Sequence, residues 1–217
     1  MEQVAYRPFD YSAVRHGSRS RRVLVVVLRA LARLEVAGLE HLPARGPFIL
    51  AANHLHVLDP AIGLLLVPGR VVGVVKDKWA RPPFGWLLGA MGELIYVGET
   101  RRGAFGAMLE ALAAGAVLAI LPEGTRSRTG ALVPANRGVA LLAARSGAPI
   151  VPAAAYGQER AGWFWRRLRR VPVRVRIGPP IVVPAAPVDR ATLQARTDEL
   201  MRAIAEMLPP EYRGVYR

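Results

Sequence analysis

Short, continuously apolar segments alternate with helical patterns along most of this chain, and this alternation restricts its fold more than any other feature. Residues 48–52, 71–75, 117–121 and 149–154 have the length and composition of buried strands. Strands that are buried on both faces and joined by helices form parallel sheets. The length of 217 residues suits one well-buried domain. We therefore expect a single-domain α/β fold, with a mainly parallel sheet covered by helices on both faces.

Two ionisable residues follow the segment 48–52, namely His54 and, after four further residues, Asp59. A neutral imidazole accepts a proton near neutral pH, and a carboxylate on its other ring nitrogen fixes the tautomer. The pair is suited to deprotonating an alcohol that attacks a carbonyl carbon. Because the chain has no cysteine, direct transfer to a bound alcohol is the simplest chemistry. The alternative is structural, since Asp59 before Pro60 is also a good helix N-cap.

The segment 117–121 is likewise followed by small and polar residues, in the order Pro122-Glu123-Gly124-Thr125-Arg126-Ser127. Glycine lets the backbone approach a ligand closely, while hydroxyl groups and a guanidinium bind anions. Ligands of α/β sheets lie at the carboxyl ends of strands, where both stretches fall. We therefore expect a base from the first stretch and an anion site from the second. An ordinary glycine turn with a solvated arginine is the structural alternative.

Together, the two stretches resemble the glycerolipid acyltransferase family, specifically its 1-acylglycerol-3-phosphate (lysophosphatidic acid) acyltransferase branch. Further matching pieces follow in order: Lys76, Arg81-Pro82-Pro83-Phe84-Gly85, residues 92–96, residues 134–138 and residues 148–152. The resemblance covers residues 35–185. It implies transfer of a fatty acyl group from acyl-CoA or acyl-acyl carrier protein to the sn-2 hydroxyl of 1-acylglycerol-3-phosphate, which makes phosphatidic acid.

The resemblance also implies a role for each residue of the candidate site. His54 is the general base and Asp59 its orienting carboxylate. The substrate-binding residues are Lys76, Arg101, Glu123, Gly124, Thr125, Arg126 and Ser127. Among these, Glu123 is expected to order its loop or to bind a glycerol hydroxyl. We expect no cofactor besides the acyl thioester co-substrate, and no metal, because two histidines near one aspartate are a poor ligand set.

One position departs from the family pattern. After the strand that ends at Val97, the family usually places an acidic residue and an arginine directly. This chain has Gly98 there and reaches Arg101 only after two further residues. The departure leaves another lipid acceptor open, such as a glycolipid or an ornithine lipid.

The charge of the chain and its first residues indicate an acidic partner. The net charge is +14, and only Lys76 and Lys78 among the 30 basic residues are lysines. Such a balance suits anionic lipid, acyl carrier protein or nucleic acid. Residues 1–34 form a basic amphipathic segment ahead of an acyltransferase domain at residues 35–217. In a helical projection, the arginines of this segment form one stripe and the remaining surface is aliphatic. Such a helix could lie on an anionic membrane. It could equally pack its aliphatic side on the domain core and leave its arginines in solvent.

The cellular location follows from the same patterns. No apolar run reaches the ~18 residues that a membrane span needs, and residues 1–20 show no signal-peptide cleavage site. We expect a peripheral protein at the cytoplasmic face of the membrane. Residues 160–170 combine arginines and aromatics, which is typical of lipid or single-stranded nucleic-acid contacts. Nucleic-acid binding would explain neither His54 nor residues 123–127, so no nucleic-acid partner is expected.

Overall fold

The computed structural model describes residues 4–11, 19–67, 69–81, 89, 92–98, 101–127, 129–184 and 188–217. The strands in these residues are β1 (Arg7–Pro8), β2 (Ala32–Ala37), β3 (Phe48–Ala52), β4 (Val71–Lys76), β5 (Glu93–Val97), β6 (Val117–Ile120), β7 (Ile150–Tyr156) and β8 (Val171–Ile177). The helices are α1 (Arg19–Leu31), α2 (Asp59–Leu66), α3 (Arg101–Ala113), α4 (Gly138–Ser146), α5 (Ala161–Trp165) and α6 (Arg190–Glu206). The sequence pattern also predicts a short helix at residues 82–90, and most of these residues lie outside the described ranges.

The strands form one sheet in the order β1-β2-β8-β7-β3-β6-β4-β5. The five strands from β7 to β5 all run parallel to one another. β8 runs antiparallel to β7, and β2 is parallel to β8, so direction reverses on one side of the sheet. The predicted α/β fold with a mainly parallel sheet is confirmed. The reversed direction of β2 and β8 was not predicted.

Helices cover both faces of the central strands, as the side chains of β3 illustrate. Phe48 and Leu50 pack in a core cluster with α1 and α2. Ile49 and Ala51 point the other way, into a cluster with α3, α4 and α6. Because side chains alternate along a strand, a strand that is apolar at every position fits between two layers of helices.

β8 is buried on one face only, and its sequence alternates accordingly. Val171, Val173 and Val175 are buried, whereas Arg174 is exposed and Arg176 is partly exposed. Two arginines on the same face of a half-exposed strand are what the period-two pattern predicts. The reversed side of the sheet is therefore covered by one layer, unlike the central strands.

Helix α1 ends at Leu31, and the chain enters β2 at the next residue. The helical pattern continues to Arg33, but pairing with β8 places residues 32–34 in the sheet instead. On α1 itself, Leu24 and Leu28 are buried in the core, while Val26 is 67% exposed. Core packing thus accounts for only part of the apolar surface of α1. In the described residues, no helix combines the length and apolar character needed to cross a bilayer.

Candidate active site

The carboxyl ends of the parallel strands bring the expected site residues to one edge of the sheet. From β7 to β5, this edge carries the expected His54, residues 123–127, Lys76 and Arg101, and beside His54 the unexpected Gln158. Neighbouring strands are about 4.8 Å apart. The loop after β6 therefore lies directly beside His54, whereas Arg101 follows a strand about three spacings, or roughly 14 Å, away.

His54 and Asp59 form a hydrogen-bonded pair. Nδ1 of His54 lies 2.9 Å from Oδ2 of Asp59. The carboxylate side chain is 2% exposed, while the imidazole side chain is 20% exposed. A carboxylate at Nδ1 favours the tautomer with its proton on that nitrogen, which leaves Nε2 as a proton acceptor. Nε2 has no hydrogen bond to any of the described residues, so the pair has the geometry of a base and its orienting group.

Asp59 begins α2 but does not cap it. Its Oδ2 accepts hydrogen bonds from the backbone N–H groups of Leu55, at 2.6 Å, and His56, at 2.7 Å. The N-cap position belongs to Leu58, and no side-chain bond closes the first turn. The N-cap alternative is therefore wrong. The carboxylate instead holds the loop that carries His54.

The other carboxylate oxygen of Asp59 binds Gln158, a residue that the sequence patterns did not single out. Nε2 of the fully buried Gln158 donates to Oδ1 of Asp59 at 3.0 Å. Gly157 makes this possible, because its φ is 99° and a Cβ there would collide with the backbone oxygen of Pro172. The signal available in the sequence is a polar residue one glycine beyond the end of an apolar strand. Its significance depends on β7 lying beside β3.

The loop after β6 is hydrogen-bonded to the backbone of His54. The N–H of His54 donates to Oε1 of Glu123 at 2.9 Å, and its carbonyl accepts from the N–H of Ser127 at 2.9 Å. Oε2 of Glu123 accepts from the N–H of Val133 at 3.1 Å. Burial raises the pKa of Glu123, and the two backbone bonds oppose this effect. Both oxygens of Glu123 are thus engaged within the protein, which favours the loop-ordering role.

Residues 124–127 combine an exposed tip with a buried end. Gly124 has a φ of 64°, and an added Cβ would lie 3.2 Å from Nδ2 of Asn136. Thr125 and Arg126 are exposed. Ser127 is buried, and its hydroxyl donates to the carbonyl oxygen of Ala131 at 2.7 Å. The tip is therefore open to an anion from solvent, whereas the Ser127 hydroxyl already stabilises the loop.

Arg126 lies close enough to His56 to influence its pKa. Burial is the main cause that lowers the pKa of His56, and the positive charge of Arg126 lowers it further. The charge of Asp59 opposes both effects. Within the described part of the chain, Arg126 is in none of the ion pairs. A guanidinium without an acidic partner next to a base is a suitable arrangement for binding an anionic alcohol.

The remaining expected cations lie further along the same edge. Lys76 is exposed at the end of β4, in register with Val97. Arg101 is the first residue of α3, and its side chain lies outside what the structure describes. At Gly98, a Cβ would approach Oδ2 of Asp77 to 3.0 Å. No cluster of three or more His, Asp or Glu side chains in the described ranges is arranged to hold a metal ion.

The sequence is similar to known acyltransferases. A curated relative is the human 1-acyl-sn-glycerol-3-phosphate acyltransferase alpha, 29% identical over 195 residues that cover 84% of this chain and 67% of the relative. The 1-acyl-sn-glycerol-3-phosphate acyltransferase of Limnanthes douglasii is 31% identical over 190 residues, which cover 82% of this chain and 66% of that protein. The chain thus spans about two thirds of the length of these relatives.

The fold is similar to a solved structure as well. The crystal structure of the 1-acyl-sn-glycerophosphate acyltransferase PlsC from Thermotoga maritima superposes with a TM-score of 0.63 at 23% identity. The match covers 87% of this chain and 76% of that one. Residues 33–156 match the family model described as Acyltransferase, and this range includes His54, Asp59 and residues 123–127. The chain therefore belongs to the acyltransferase family.

Proposed function

We propose that this protein transfers a fatty acyl group from an acyl thioester to the sn-2 hydroxyl of a 1-acylglycerol-3-phosphate, making phosphatidic acid. The observation that carries the proposal is the His54–Asp59 pair, which is hydrogen-bonded to the loop that exposes Arg126. A base and an anion-binding group thus lie side by side. The names of the curated relatives support the same acceptor.

In the proposed reaction, His54 is the general base. Its Nε2 takes the proton of the acceptor hydroxyl as that oxygen attacks the thioester carbonyl carbon. The tetrahedral intermediate then collapses, the C–S bond breaks, and the thiolate receives the proton from the imidazolium. The thiolate is a good leaving group because thiols are more acidic than alcohols. The buried carboxylate of Asp59 stabilises the imidazolium while it exists.

Gln158 has a positioning role in this proposal. The carboxylate of Asp59 accepts two backbone N–H groups and the Gln158 amide in addition to the imidazole. Rotation of the carboxylate would leave at least one of these donors unsatisfied in the interior, which is costly. Gln158 therefore helps to fix the plane of the Asp59 carboxylate, and through it the orientation of the imidazole and its proton-accepting nitrogen.

Arg126 supplies the main contact to the phosphate group. A guanidinium binds phosphate with two parallel hydrogen bonds, and the exposed Thr125 hydroxyl adds a donor beside it. Gly124 lets the loop backbone approach the same oxygens. Lys76, two strands from His54, adds a longer-range positive charge, and Arg101 is a candidate for a third contact. Binding the phosphate in this way holds the hydroxyl of the same molecule next to the base.

The acyl donor in the proposal is acyl-CoA or acyl-acyl carrier protein, without a further cofactor. Both donors are acidic, which suits a chain with a net charge of +14. The lipid acceptor resides in a membrane, so the protein acts as a peripheral enzyme at an anionic membrane surface, on its cytoplasmic face. The basic amphipathic segment at residues 1–34 contributes to this contact through the exposed side of α1.

Thiol release from oleoyl-CoA tests the proposed activity. The acceptors to compare are 1-acylglycerol-3-phosphate, 1-monoacylglycerol, a lysoglycolipid and a lyso-ornithine lipid, with products identified by mass spectrometry. We expect the highest kcat/KM with 1-acylglycerol-3-phosphate, and phosphatidic acid as the product. Because Gly98 replaces the usual arginine, the phosphate-free lipids are the informative competitors. Turnover with a phosphate-free lipid but not with 1-acylglycerol-3-phosphate would overturn the choice of acceptor. A rate of thiol release that no acceptor increases would overturn acyl transfer.

A further inference from the structure

An exposed apolar surface joins α1 to the turn after α5. Its apolar members are Val23, Val26, Val27, Trp163 and Leu168, and its basic members are Arg29, Arg166, Arg167, Arg169 and Arg170. We call this set the platform. We propose that the platform binds an anionic bilayer, with Leu168 inserted below the head groups, and so seats the active-site edge on the membrane. The platform is thus the surface through which the enzyme of the proposed function would contact its membrane. This inference rests on the proposed function only for the identity of the lipid substrate.

Leu168 is the residue that first indicates a ligand here. It is 99% exposed, more than any other large apolar side chain in the described residues. Its φ is 53°, in the left-handed region, which leucine rarely adopts. The fold would accept glycine at this position at least as well. A leucine held fully in solvent in an unfavourable backbone conformation points to a partner outside the protein.

The turn that presents Leu168 is a well-defined helix ending. The N–H of Arg169 donates to the carbonyl of Phe164 at 3.1 Å, and the N–H of Leu168 donates to the carbonyl of Trp165 at 2.9 Å. This pair of bonds is the Schellman motif, in which glycine usually occupies the position that Leu168 has here. Leu168 therefore projects from a hydrogen-bonded turn whose backbone shape does not depend on its side chain.

Helix α1 and the α5 turn are parts of one continuous surface. Nε1 of Trp165 donates to the carbonyl of Leu31, the last residue of α1, at 3.0 Å. A shallow groove between the two elements is lined by Val25, Val26, Arg29, Ala30 and Arg170. Val26 is 67% exposed and Val23 is 62% exposed. Arg170 of this groove lies two residues from Leu168 in the chain. Single exposed valines are common in soluble proteins, but several of them on one helix, beside the segment that carries Leu168, indicate a binding surface.

The platform lies at the same edge of the sheet as the active site. Ala32 and Val171 pair at the starts of β2 and β8. Because these strands run against β7, their starts coincide with the carboxyl ends of the central strands. The rings of Trp165 and His56 are also in edge-to-face contact, with centroids 6.0 Å apart. A membrane bound to the platform would thus lie close to the loop that carries His54.

The charges on the platform favour anionic lipid. The guanidinium of Arg167 stacks over the ring of Trp163 at 4.0 Å, an arrangement suited to the head-group layer. Arg166, Arg167, Arg169 and Arg170 are exposed, and none of them pairs with a carboxylate in the part of the chain that the structure describes. Nucleic acid would satisfy these charges but offers no apolar layer for Leu168 and the valines. A bilayer offers both.

Vesicle sedimentation tests the platform. Leu168→Gly removes the side chain while giving the turn its preferred residue, so the variant should fold at least as well as the wild type. We expect its binding to mixed phosphatidylcholine–phosphatidylglycerol vesicles to weaken about tenfold or more, since a leucine side chain loses its apolar burial. Val26→Asp should weaken binding similarly. Replacing Arg169 and Arg170 by Gln should cost about fivefold each, and only on anionic vesicles.

Val182→Gly is the matched control. Val182 is 69% exposed and follows Ile181, which pairs with Ile150 at the start of β7, the opposite edge of the sheet. This variant should bind vesicles like the wild type. Wild-type binding by Leu168→Gly would overturn the platform. So would a wild-type protein that binds acyl carrier protein or labelled DNA but no vesicle.

A soluble assay separates this inference from the proposed function. Leu168→Gly should keep wild-type kcat and KM with short-chain acyl-CoA and a short-chain acceptor below its micelle concentration. A loss of soluble turnover in the variant would contradict a role confined to membrane contact. If the wild type turns over neither the soluble substrates nor oleoyl-CoA with 1-acylglycerol-3-phosphate, yet binds vesicles through Leu168, the proposed function fails and the platform stands.

Discussion

The proposed base and the proposed anion-binding groups of the active site differ in how they are held. His54, Asp59 and Gln158 form a chain of hydrogen bonds in which the carboxylate and the amide are buried. Arg126 and Lys76 are exposed, and neither belongs to an ion pair within the described ranges. The hydrogen-bonded geometry of the proposed base thus exists before substrate binds, whereas the proposed role of the cations requires them to become ordered on the phosphate. Changes among the first group should therefore lower kcat, and changes among the second should raise KM.

The largest expected effect comes from His54→Ala. Loss of the general base should lower kcat by ~10²–10⁴-fold. The fold should be kept, because Asp59 retains three other hydrogen-bond donors. His56→Ala is the matched control, since His56 lies two residues away and has no proposed proton-transfer role. Thiol release measured on both variants decides the point. An equal loss in the two variants would remove His54 from the role of base.

The next effect in size is that of Arg126→Ala. Hydrogen bonds to charged groups contribute about 1.5–3 kcal/mol, so KM for 1-acylglycerol-3-phosphate should rise roughly 10- to 100-fold, with little change in kcat. Arg126→Lys should recover only part of this loss, because an ammonium cannot form the two parallel bonds. Lys76→Ala should raise KM less, since β4 lies two strands from β3. A larger effect at Lys76 than at Arg126 would mean that the phosphate lies further along the edge.

Gln158 should affect kcat and its pH dependence. Gln158→Leu removes the donor to Asp59 and should lower kcat about tenfold with KM unchanged, as expected for a misaligned base. Gln158→Glu places a second carboxylate beside Asp59. If that carboxylate ionises, its negative charge stabilises the imidazolium form of His54 in the variant. The acidic limb of the kcat/KM profile should then move to higher pH than in Gln158→Leu. Identical profiles would reduce Gln158 to a packing role.

The smallest effect is expected at Ser127. Its hydroxyl is bonded to the carbonyl of Ala131, so Ser127→Ala should lower the free energy of unfolding by about 1 kcal/mol. Thr125→Ala, at the exposed tip, should instead leave stability unchanged and raise KM modestly. Chemical denaturation and steady-state kinetics on the pair distinguish the two functions of the loop. If KM for the phosphate-bearing acceptor rose in Ser127→Ala but not in Thr125→Ala, Ser127 and not Thr125 would be the phosphate-binding residue.

Most of the sheet could be predicted from the sequence, because burial on both faces leaves a strong signal. β3, at Phe48–Ala52, has the predicted bounds, and the central strands could be located from continuous apolar runs. The direction of β2 and β8 could not be predicted. Strand order is decided by contacts between distant segments, and a half-buried strand has the same alternation whichever way it runs.

Site residues could be predicted where the strand that precedes them in the sequence decides their position. They could not be predicted where their role depends on contacts with a different strand or loop. The proximity of His54 to residues 123–127 follows from parallel strands that share an edge. Gln158 needs β7 to lie next to β3, which its local sequence does not reveal. The inward orientation of Glu123 and Ser127 likewise depends on backbone groups at Val133 and Ala131 that become neighbours only in the folded loop.

One comparison of acceptors tests most directly whether the base and the guanidinium act on the same molecule. The measurement is kcat/KM for 1-acylglycerol-3-phosphate divided by that for 1-monoacylglycerol, in the wild type, His54→Ala and Arg126→Ala. We predict a strong preference for the phosphate-bearing acceptor in the wild type, the same preference at a much lower rate in His54→Ala, and loss of the preference in Arg126→Ala. A preference that survives in Arg126→Ala would contradict the account.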